Sequence, residues 1–295
     1  MPRRHRRSLF LALLVSLLLI CAGCSRQAAP PGVAAGILSG DTVWAGTVFV
    51  GGDVTVARGA SLTIAPGTVV RFLTPDSAAG GRADHPHFPG SELNVEGTLV
   101  AVGSAGEPIT FAAADDAAPA GSWGALNFAE GAAGTLRYCV FRQADSAVHS
   151  REATVEIAES VFENNLVGIR FNSSAIRIER NLLRGNGTAV RFHFGAPVVR
   201  GNRFESNRVN LFVTAHPRDY RFEGNFFGRP EDYQVVLGEE VPENVHLAGN
   251  NWDGGAAAAV LGQIFDGRRS PYLGIVEIEP VATLPANATG PSWMQ

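Results

Sequence analysis

Residues 157–172 (IAESVFENNLVGIRFN) are followed by residues 178–193 (IERNLLRGNGTAVRFH), which repeat the same apolar and polar positions 21 residues later. The same pattern can be followed in both directions along the chain. One position of the repeat is occupied, at steps of 21, 21, 21, 23 and 25 residues, by Cys139, Ser160, Asn181, Asn202, Asn225 and Asn250. A period of ~20–25 residues with short strands and Gly/Asn turns is typical of a β-solenoid. We therefore predict an all-β fold of stacked parallel strands.

Residues at the same phase of such a stack become neighbours, because parallel strands lie ~4.8 Å apart. Two positions after the first column comes an apolar column, predicted to fill the interior: Phe141, Phe162, Leu183, Phe204, Phe227 and Trp252. The asparagines are predicted to form hydrogen-bonded ladders at two corners. The first ladder comprises Asn181, Asn202, Asn225 and Asn250, and the second Asn165, Asn186 and Asn207. We interpret both as structural features and not as ligand sites.

The N-terminus predicts export. Four arginines precede an apolar run from Leu9 to Ile20, which ends at Cys21-Ala22-Gly23-Cys24. A basic segment, a short apolar segment and small residues before a cleavage point are typical of a secretory signal. The run is shorter than the ~20 residues that a membrane-spanning helix needs. Ala22-Gly23-Cys24 resembles the lipobox of bacterial lipoproteins. This resemblance implies lipidation of Cys24 and an outer-membrane location in the cell envelope.

Four segments are predicted from these features. Residues 1–23 form the lipoprotein signal peptide, residues 24–39 a flexible tether, residues 40–285 the repeat domain and residues 286–295 a C-terminal tail. Residues 74–90 interrupt the rhythm and are predicted to be a loop. The apolar segment 256–265 is predicted to be a helix that covers the open end of the stack, since solenoid ends need covering.

The composition excludes several classes of function. The chain has 24 arginines and no lysine, so chemistry that requires a lysine amine is excluded. Removal of residues 1–23 leaves 20 arginines against 28 acidic residues, a net charge of −8, which argues against nucleic acid as a partner. With Cys21 removed and Cys24 lipidated, Cys139 is the only free thiol, and no disulfide can form within the mature chain.

One outward column alternates in charge at a strict step of 21. It consists of Arg142, Glu163, Arg184 and Glu205. Alternating signs on neighbouring strands predict a ladder of ion pairs that holds the stack in register, each worth ~0.2–1 kcal/mol. We interpret this column as structural.

A second face lacks this alternation. The period of two along its strands points two columns outward, one with His149, Arg170 and Arg191, and the next with Arg151, Asn172 and His193. No carboxylate interrupts these columns, and arginine binds carboxylates and sulfates well. One hypothesis is a shallow groove for an acidic glycan, with one anionic group bound per repeat. The alternative is a solvated strand face whose arginines reach loop acids such as Glu152.

A metal site is a further hypothesis. Asp84, His85 and His87 lie together in the predicted loop, and a His-x-His pair with a carboxylate can hold Cu(II) or Zn(II). The sequence otherwise implies no cofactor.

Catalytic motifs do not emerge from the sequence. Hydrolysis by acid/base catalysis needs two converging carboxylates, and no phase of the repeat carries two acids on adjacent repeats in a neutral patch. A lyase needs an anion-neutralising group and a base, roles that Arg170, Arg191 and His193 could take. No GxSxG, Walker A or paired CxxC motif occurs.

Several segments resemble the right-handed parallel β-helix repeat superfamily, the pectin lyase-like proteins. They are residues 59–68 (GASLTIAPGT), 122–126 (SWGAL), 161–169 (VFENNLVGI), 250–254 (NNWDG) and 274–277 (GIVE). The resemblance covers residues 42–284, and within the superfamily it is greatest to bacterial secreted β-helix proteins, including NosD-type periplasmic proteins linked to copper-site maturation. It implies a single right-handed parallel β-helix, to which the repeat length gives about nine coils.

The superfamily includes pectin lyases, polygalacturonases, epimerases and adhesins, so the resemblance leaves the function open. No catalytic residue of those enzymes transfers to a position in this chain. We expect a lipid-anchored envelope protein that binds or scaffolds an acidic polysaccharide or envelope partner proteins without catalysis. The alternatives are a lyase or hydrolase acting on an acidic glycan, and a NosD-like metal-handling protein that would use His85 and His87.

Overall fold

The computed structural model describes residues 32–73 and 90–294. In chain order, the first strands are β1 (Val33–Leu38), β2 (Thr42–Trp44), β3 (Thr47–Val56), β4 (Ser61–Ile64), β5 (Val69–Phe72), β6 (Leu93–Val95), β7 (Thr98–Val102), β8 (Ile109–Ala113) and β9 (Trp123–Phe128). The regular repeats contain β10 (Ala133–Arg137), β11 (Cys139–Arg142), β12 (Ala144–Arg151), β13 (Thr154–Ala158), β14 (Val161–Glu163), β15 (Val167–Asn172), β16 (Ala175–Glu179), β17 (Leu182–Arg184), β18 (Thr188–His193), β19 (Val198–Arg200), β20 (Arg203–Glu205), β21 (Val209–Ala215), β22 (Arg221–Glu223), β23 (Phe226–Phe227) and β24 (Tyr233–Glu240). The last elements are β25 (Val245–His246), the helix α1 (Ala257–Gly262), β26 (Ile264–Phe265), β27 (Val276–Glu277) and two 3-10 turns, Ala286–Ala288 and Ser292–Met294.

The strands stack into three faces. Face 1 is an eight-stranded sheet of β2, β4, β7, β10, β13, β16, β19 and β22. The other two faces are joined through β3 into one 17-stranded sheet. Face 2 comprises β5, β8, β11, β14, β17, β20 and β23, and face 3 comprises β1, β3, β6, β9, β12, β15, β18, β21, β24 and β26. All pairings along these faces are parallel, and the all-β arrangement fits a β-solenoid.

The interior is the apolar column expected from the repeat. On face 2, Phe141 pairs with Phe162, which pairs with Leu183 in the next strand. The Phe141 and Phe162 rings stack with their centroids 4.6 Å apart, and Phe227 stacks on Trp252 at 4.4 Å. Such contacts add ~0.5–1.5 kcal/mol per pair to the burial of apolar area. The stacked rings therefore hold neighbouring repeats in register.

Both predicted asparagine ladders are present. Asn202 is fully buried; its Oδ1 accepts from the backbone N (2.9 Å) and the Nδ2 (3.0 Å) of Asn181, and its own Nδ2 donates to Asn225 Oδ1 (3.0 Å). Asn165 and Asn186 form the same bonds at the second corner. Because each amide satisfies backbone groups at a corner, the ladders remove the penalty of burying unpaired polar groups there.

The alternating charges form only part of the expected ladder. Glu163 binds both arginines of its column: Oε1 accepts from Arg142, and Oε2 accepts from Arg184 Nε at 2.8 Å. Burial by itself raises the pKa of Glu163, but the hydrogen bonds and charges of Arg184 and Arg142 outweigh it and hold that pKa below its ordinary value. Glu205, predicted as the next member, pairs instead with Arg203 of its own strand. The predicted ladder was wrong at this position.

The chain ends differ from the expected boundaries. Residues 33–38, within the predicted tether, form β1 and pair with β3, so this part of the segment belongs to the stack and not to a tether. The predicted tail folds back along the stack. Gly290 N donates to Gly201 O (2.8 Å), and Trp293 Nε1 donates to Glu159 O (2.8 Å). The Trp293 ring packs on an apolar stripe of Val140, Val161 and Leu182, which explains why the tail is held.

The helix predicted near the C-terminus is present, but it is shorter than predicted. Helix α1 lies inside the predicted segment 256–265, although the last two residues of that segment form β26 and extend face 3. Within the described ranges, no helix is both long and apolar enough to cross a membrane. The predicted signal peptide, Cys24 and the body of the predicted loop (74–89) lie outside the described residues.

Candidate functional site

The two basic columns predicted on face 3 are in register. Strand pairing places His149 beside Arg170 and Arg170 beside Arg191, and it places Arg151 beside Asn172 and Asn172 beside His193. Side chains alternate between the two faces of a strand. The basic residues point outward because the residues between or beside them are buried in the interior, namely Ile169, Phe171, Val190 and Phe192. A cavity of about 270 Å³ lies over these columns and is lined by His149, Arg170, Phe171, Asn172, Arg191, Phe192, His193 and Thr214.

His149 begins the first column but is not the exposed residue that the sequence suggested. It is only 8% exposed, and its Nδ1 lies 2.6 Å from Asn127 Oδ1. Because an amide oxygen only accepts, Nδ1 of His149 carries the proton in this bond. Asn127 Nδ2 in turn donates to Asn94 Oδ1 at 3.1 Å. His149 therefore ends a buried polar row and lines the cavity from one side.

Arg170 and Arg191 form the centre of the site. They are direct cross-strand neighbours, where like charges destabilise each other. Burial lowers the pKa of Arg170, the charge of Arg191 lowers it further, and Asp145 acts in the opposite direction. The guanidinium carbon of Arg191 lies 5.0 Å from the centroid of the Phe212 ring, a cation–π contact. An anion bound between the two guanidinium groups would relieve their repulsion.

Among the residues that the structure describes, Arg191 makes no ion pair with a carboxylate. The alternative in which the face 3 arginines reach Glu152 therefore does not hold for Arg191. Arg151 is exposed and lies beside Asn172, outside the residues that line the cavity. The structure thus brings five of the six predicted residues around the cavity and leaves Arg151 at its border.

The second column ends beside a carboxylate, contrary to the sequence expectation. His193 Nε2 lies 3.9 Å from Glu240 Oε2, and His193 Nδ1 lies 3.3 Å from Thr214 Oγ1. Glu240 reaches this place because β21 and β24 pair with a shift in register that sets Ala215 opposite Glu240. Asn172 uses its Oδ1 to accept from Ser173 Oγ at 2.8 Å. The site is therefore basic at its centre, with Glu240 at its edge beside His193 and Asp145 close enough to act on Arg170.

A larger cavity, of about 520 Å³, lies over the corner after face 2, but its charges are already matched. Its lining includes Arg142 and Arg184, which both donate to Glu163, a third residue of the lining. A ligand anion there would compete with Glu163 for both arginines. The smaller cavity on face 3 is therefore the better candidate for an anionic ligand.

The predicted metal site cannot be placed on the described fold. Asp84, His85 and His87 lie outside the described residues. Among residues 32–73 and 90–294, no group of three or more His, Cys, Asp or Glu residues could hold a metal ion. Cys139 is buried, and its burial raises the pKa of the thiol well above the ordinary value. The thiol therefore stays protonated, whereas a metal is bound by the thiolate.

Sequence reasoning missed several residues of the site. Glu240 is brought in by the register shift between β21 and β24, and Asn127 lies 22 residues before His149 because the pairing of β9 with β12 also shifts, so the 21-residue period reveals neither. Phe212 lies 21 residues after Arg191 and Thr214 lies 21 residues after His193, so extending the two columns by one repeat could have found both. Comparison with protein-family models, curated proteins and solved structures gave no match.

Proposed function

We propose that the chain is a right-handed parallel β-helix of about nine coils, of the pectin lyase-like type, that binds an acidic polysaccharide along face 3. We further propose that lipidation of Cys24 anchors it in the outer membrane. The parallel stacking of the three faces and the repeat resemblance support the fold. The basic N-terminus and Ala22-Gly23-Cys24 support the anchor.

One observation carries the binding proposal: Arg170 and Arg191 are stacked in one cavity with His193, Asn172 and Thr214, which offer further polar groups. Guanidinium groups bind carboxylate and sulfate oxygens through two parallel hydrogen bonds. Because the strands repeat every ~4.8 Å, a polymer lying along the stack presents its anionic groups to successive repeats. The mature chain is acidic overall, so this basic patch is local and directs the ligand to face 3.

A second candidate is a lyase or hydrolase that uses the same face. It is favoured by one contact, the approach of His193 to Glu240, since a carboxylate beside an imidazole can hold it in place as a base. Binding without catalysis is preferred because hydrolysis needs two carboxylates that converge on one bond. In the described part of the cavity lining there is no carboxylate.

The test is a titration of purified protein with polygalacturonate, a sulfated glycan and a neutral glucan. The variant Arg170→Ala/Arg191→Ala is measured beside Arg177→Ala/Arg200→Ala, which removes two exposed charges from face 1 of neighbouring repeats. We expect saturable binding of an acidic glycan that only the face 3 variant loses. Equal loss in both variants, or no binding by the wild type, would refute the proposal. Unsaturated or reducing ends in the same samples would favour the enzyme.

Export and lipidation are tested separately. Cells that express the wild type and Cys24→Ser are labelled with a fatty-acid analogue and fractionated. Label and outer-membrane recovery that both depend on Cys24 are expected. An unlabelled wild-type protein would contradict the anchor without affecting the glycan proposal.

A further inference from the structure

The corner that follows face 3 repeats a left-handed backbone conformation. At steps of 21 residues it is occupied by Gly131 (φ 77°), Glu152 (φ 51°), Ser173 (φ 49°) and Phe194 (φ 56°). Backbone hydrogen bonds connect these corners, for example from Ser173 N to His193 O at 3.0 Å. The stack therefore imposes a positive φ on whichever residue occupies this position.

Phe194 does not suit this position. Positive φ is easiest for glycine and tolerable for small polar residues, whereas for a bulky side chain it is an outlier. Phe194 is also 41% exposed, so its ring gains only part of the burial that an aromatic side chain can provide. Unfavourable backbone conformations in a fold tend to lie at functional sites. The corner thus carries a residue that neither backbone preference nor core packing explains.

The ring lies next to the candidate site. Phe194 follows His193, which lines the cavity, and the two rings meet edge to face with their centroids 4.4 Å apart. On the preceding repeat the same corner holds Ser173, whose hydroxyl donates to Asn172 Oδ1. An exposed aromatic face therefore stands at the end of the row that contains Asn172 and His193.

We propose that Phe194 is the stacking platform for a sugar ring of the bound glycan, with the anionic group of that sugar held by Arg191 and His193. This inference rests on the proposed function and narrows its ligand to a pyranose that carries an acidic substituent. The apolar C–H face of such a ring covers the aromatic face, while the charged group reaches the guanidinium. A bare inorganic anion would use the arginines and gain nothing from Phe194.

The test uses the full chain and three variants. Phe194→Asn removes the ring and places at the corner a residue that tolerates positive φ. Phe194→Tyr keeps an aromatic face. Ser173→Asn makes the matched change at the same corner one repeat earlier. Affinity for polygalacturonate is measured by calorimetry, the melting temperature by scanning calorimetry, and inorganic sulfate serves as a competitor.

We expect Phe194→Asn to weaken glycan affinity about tenfold without lowering the melting temperature, and to leave inhibition by sulfate unchanged. Phe194→Tyr and Ser173→Asn should bind like the wild type. Unchanged affinity in Phe194→Asn overturns the platform but leaves the arginine site intact. A lowered melting temperature in Phe194→Asn also overturns it, because the ring would then serve the fold. A wild type that binds no acidic glycan refutes both proposals.

Discussion

Faces 2 and 3 each carry a column with arginines at the 21-residue step of the repeat, but the neighbours of those arginines differ. On face 2, Glu163 lies between Arg142 and Arg184 and binds both. On face 3, Arg170 and Arg191 are direct neighbours, and their mutual repulsion contributes to the lowered pKa of Arg170. The same backbone register thus places Arg184 beside a carboxylate on face 2 and Arg170 beside a second arginine on face 3.

The largest expected effect tests the frame that both faces share. Asn202→Ala removes a buried amide that bonds to Asn181, Asn225 and the carbonyl of Ile178. We expect a loss of about 3 kcal/mol in the free energy of unfolding, because several buried groups lose their partners. Chemical denaturation measures it. Asn172→Ala, a partly exposed asparagine of face 3, serves as control and should cost less than about 0.5 kcal/mol. Equal costs would show that the ladder is not what holds the repeats together.

Arg191→Glu would convert face 3 into a copy of face 2. The new carboxylate lies beside Arg170 and occupies it, so affinity for the acidic glycan should fall at least about tenfold, the value of a lost charged hydrogen bond. Stability should change by less than about 0.5 kcal/mol, since the new ion pair offsets the lost contact with Phe212. Titration calorimetry measures the first effect. The same reversal on face 1, Arg200→Glu, should leave affinity unchanged; a loss there would place the site elsewhere.

Glu163→Gln would make face 2 resemble face 3. At neutral pH we expect a loss of about 1 kcal/mol in the free energy of unfolding, the upper end for a surface ion pair. Because the folded pKa of Glu163 lies below its ordinary value near 4.5, its contribution is present above that value and is lost as pH falls through the folded pKa.

Melting temperatures of the wild type and Glu163→Gln, followed from neutral to acidic pH, measure this effect. The gap between the two proteins should close as the pH falls. A gap that persists in acid would mean that shape and not charge at Glu163 supports the stack.

The smallest effect concerns the acid at the edge of face 3. Glu240→Gln removes a carboxylate 3.9 Å from His193 Nε2, which should raise affinity for an acidic glycan about two- to threefold. The control is Glu223→Gln, whose carboxylate binds Arg200 on face 1. A decrease in affinity on removing Glu240 would instead indicate that this carboxylate contacts the glycan or acts with His193 as a catalytic pair.

The period of the repeat was sufficient to predict the columns. Stacking converts equal phase into contact, so the asparagine ladders, the interior rings and the register of Arg170 with Arg191 follow from counting residues. The corner column that ends in Phe194 has the same step and could have been found in the same way.

Other contacts do not follow from the period. Glu240 joins the site through a register shift, and Trp293 contacts Glu159 from 134 residues further along the chain. Residues 33–38 read as a tether by composition, yet they form β1 because β3 offers them a parallel edge. His149 points outward by phase but is buried and bonded to Asn127. Each of these depends on tertiary contacts that local pattern does not encode.

The central claim is that face 3, and not face 2, presents arginines to an acidic glycan. The most direct measurement follows the side-chain Nε–H signals of Arg170, Arg191, Arg142 and Arg184 by NMR while an oligogalacturonate is added. The account predicts saturable shifts for Arg170 and Arg191, with Arg142 and Arg184 unchanged in their bonds to Glu163. Shifts at Arg142 and Arg184 without shifts at Arg170 and Arg191, or no shifts at any of the four, would contradict it.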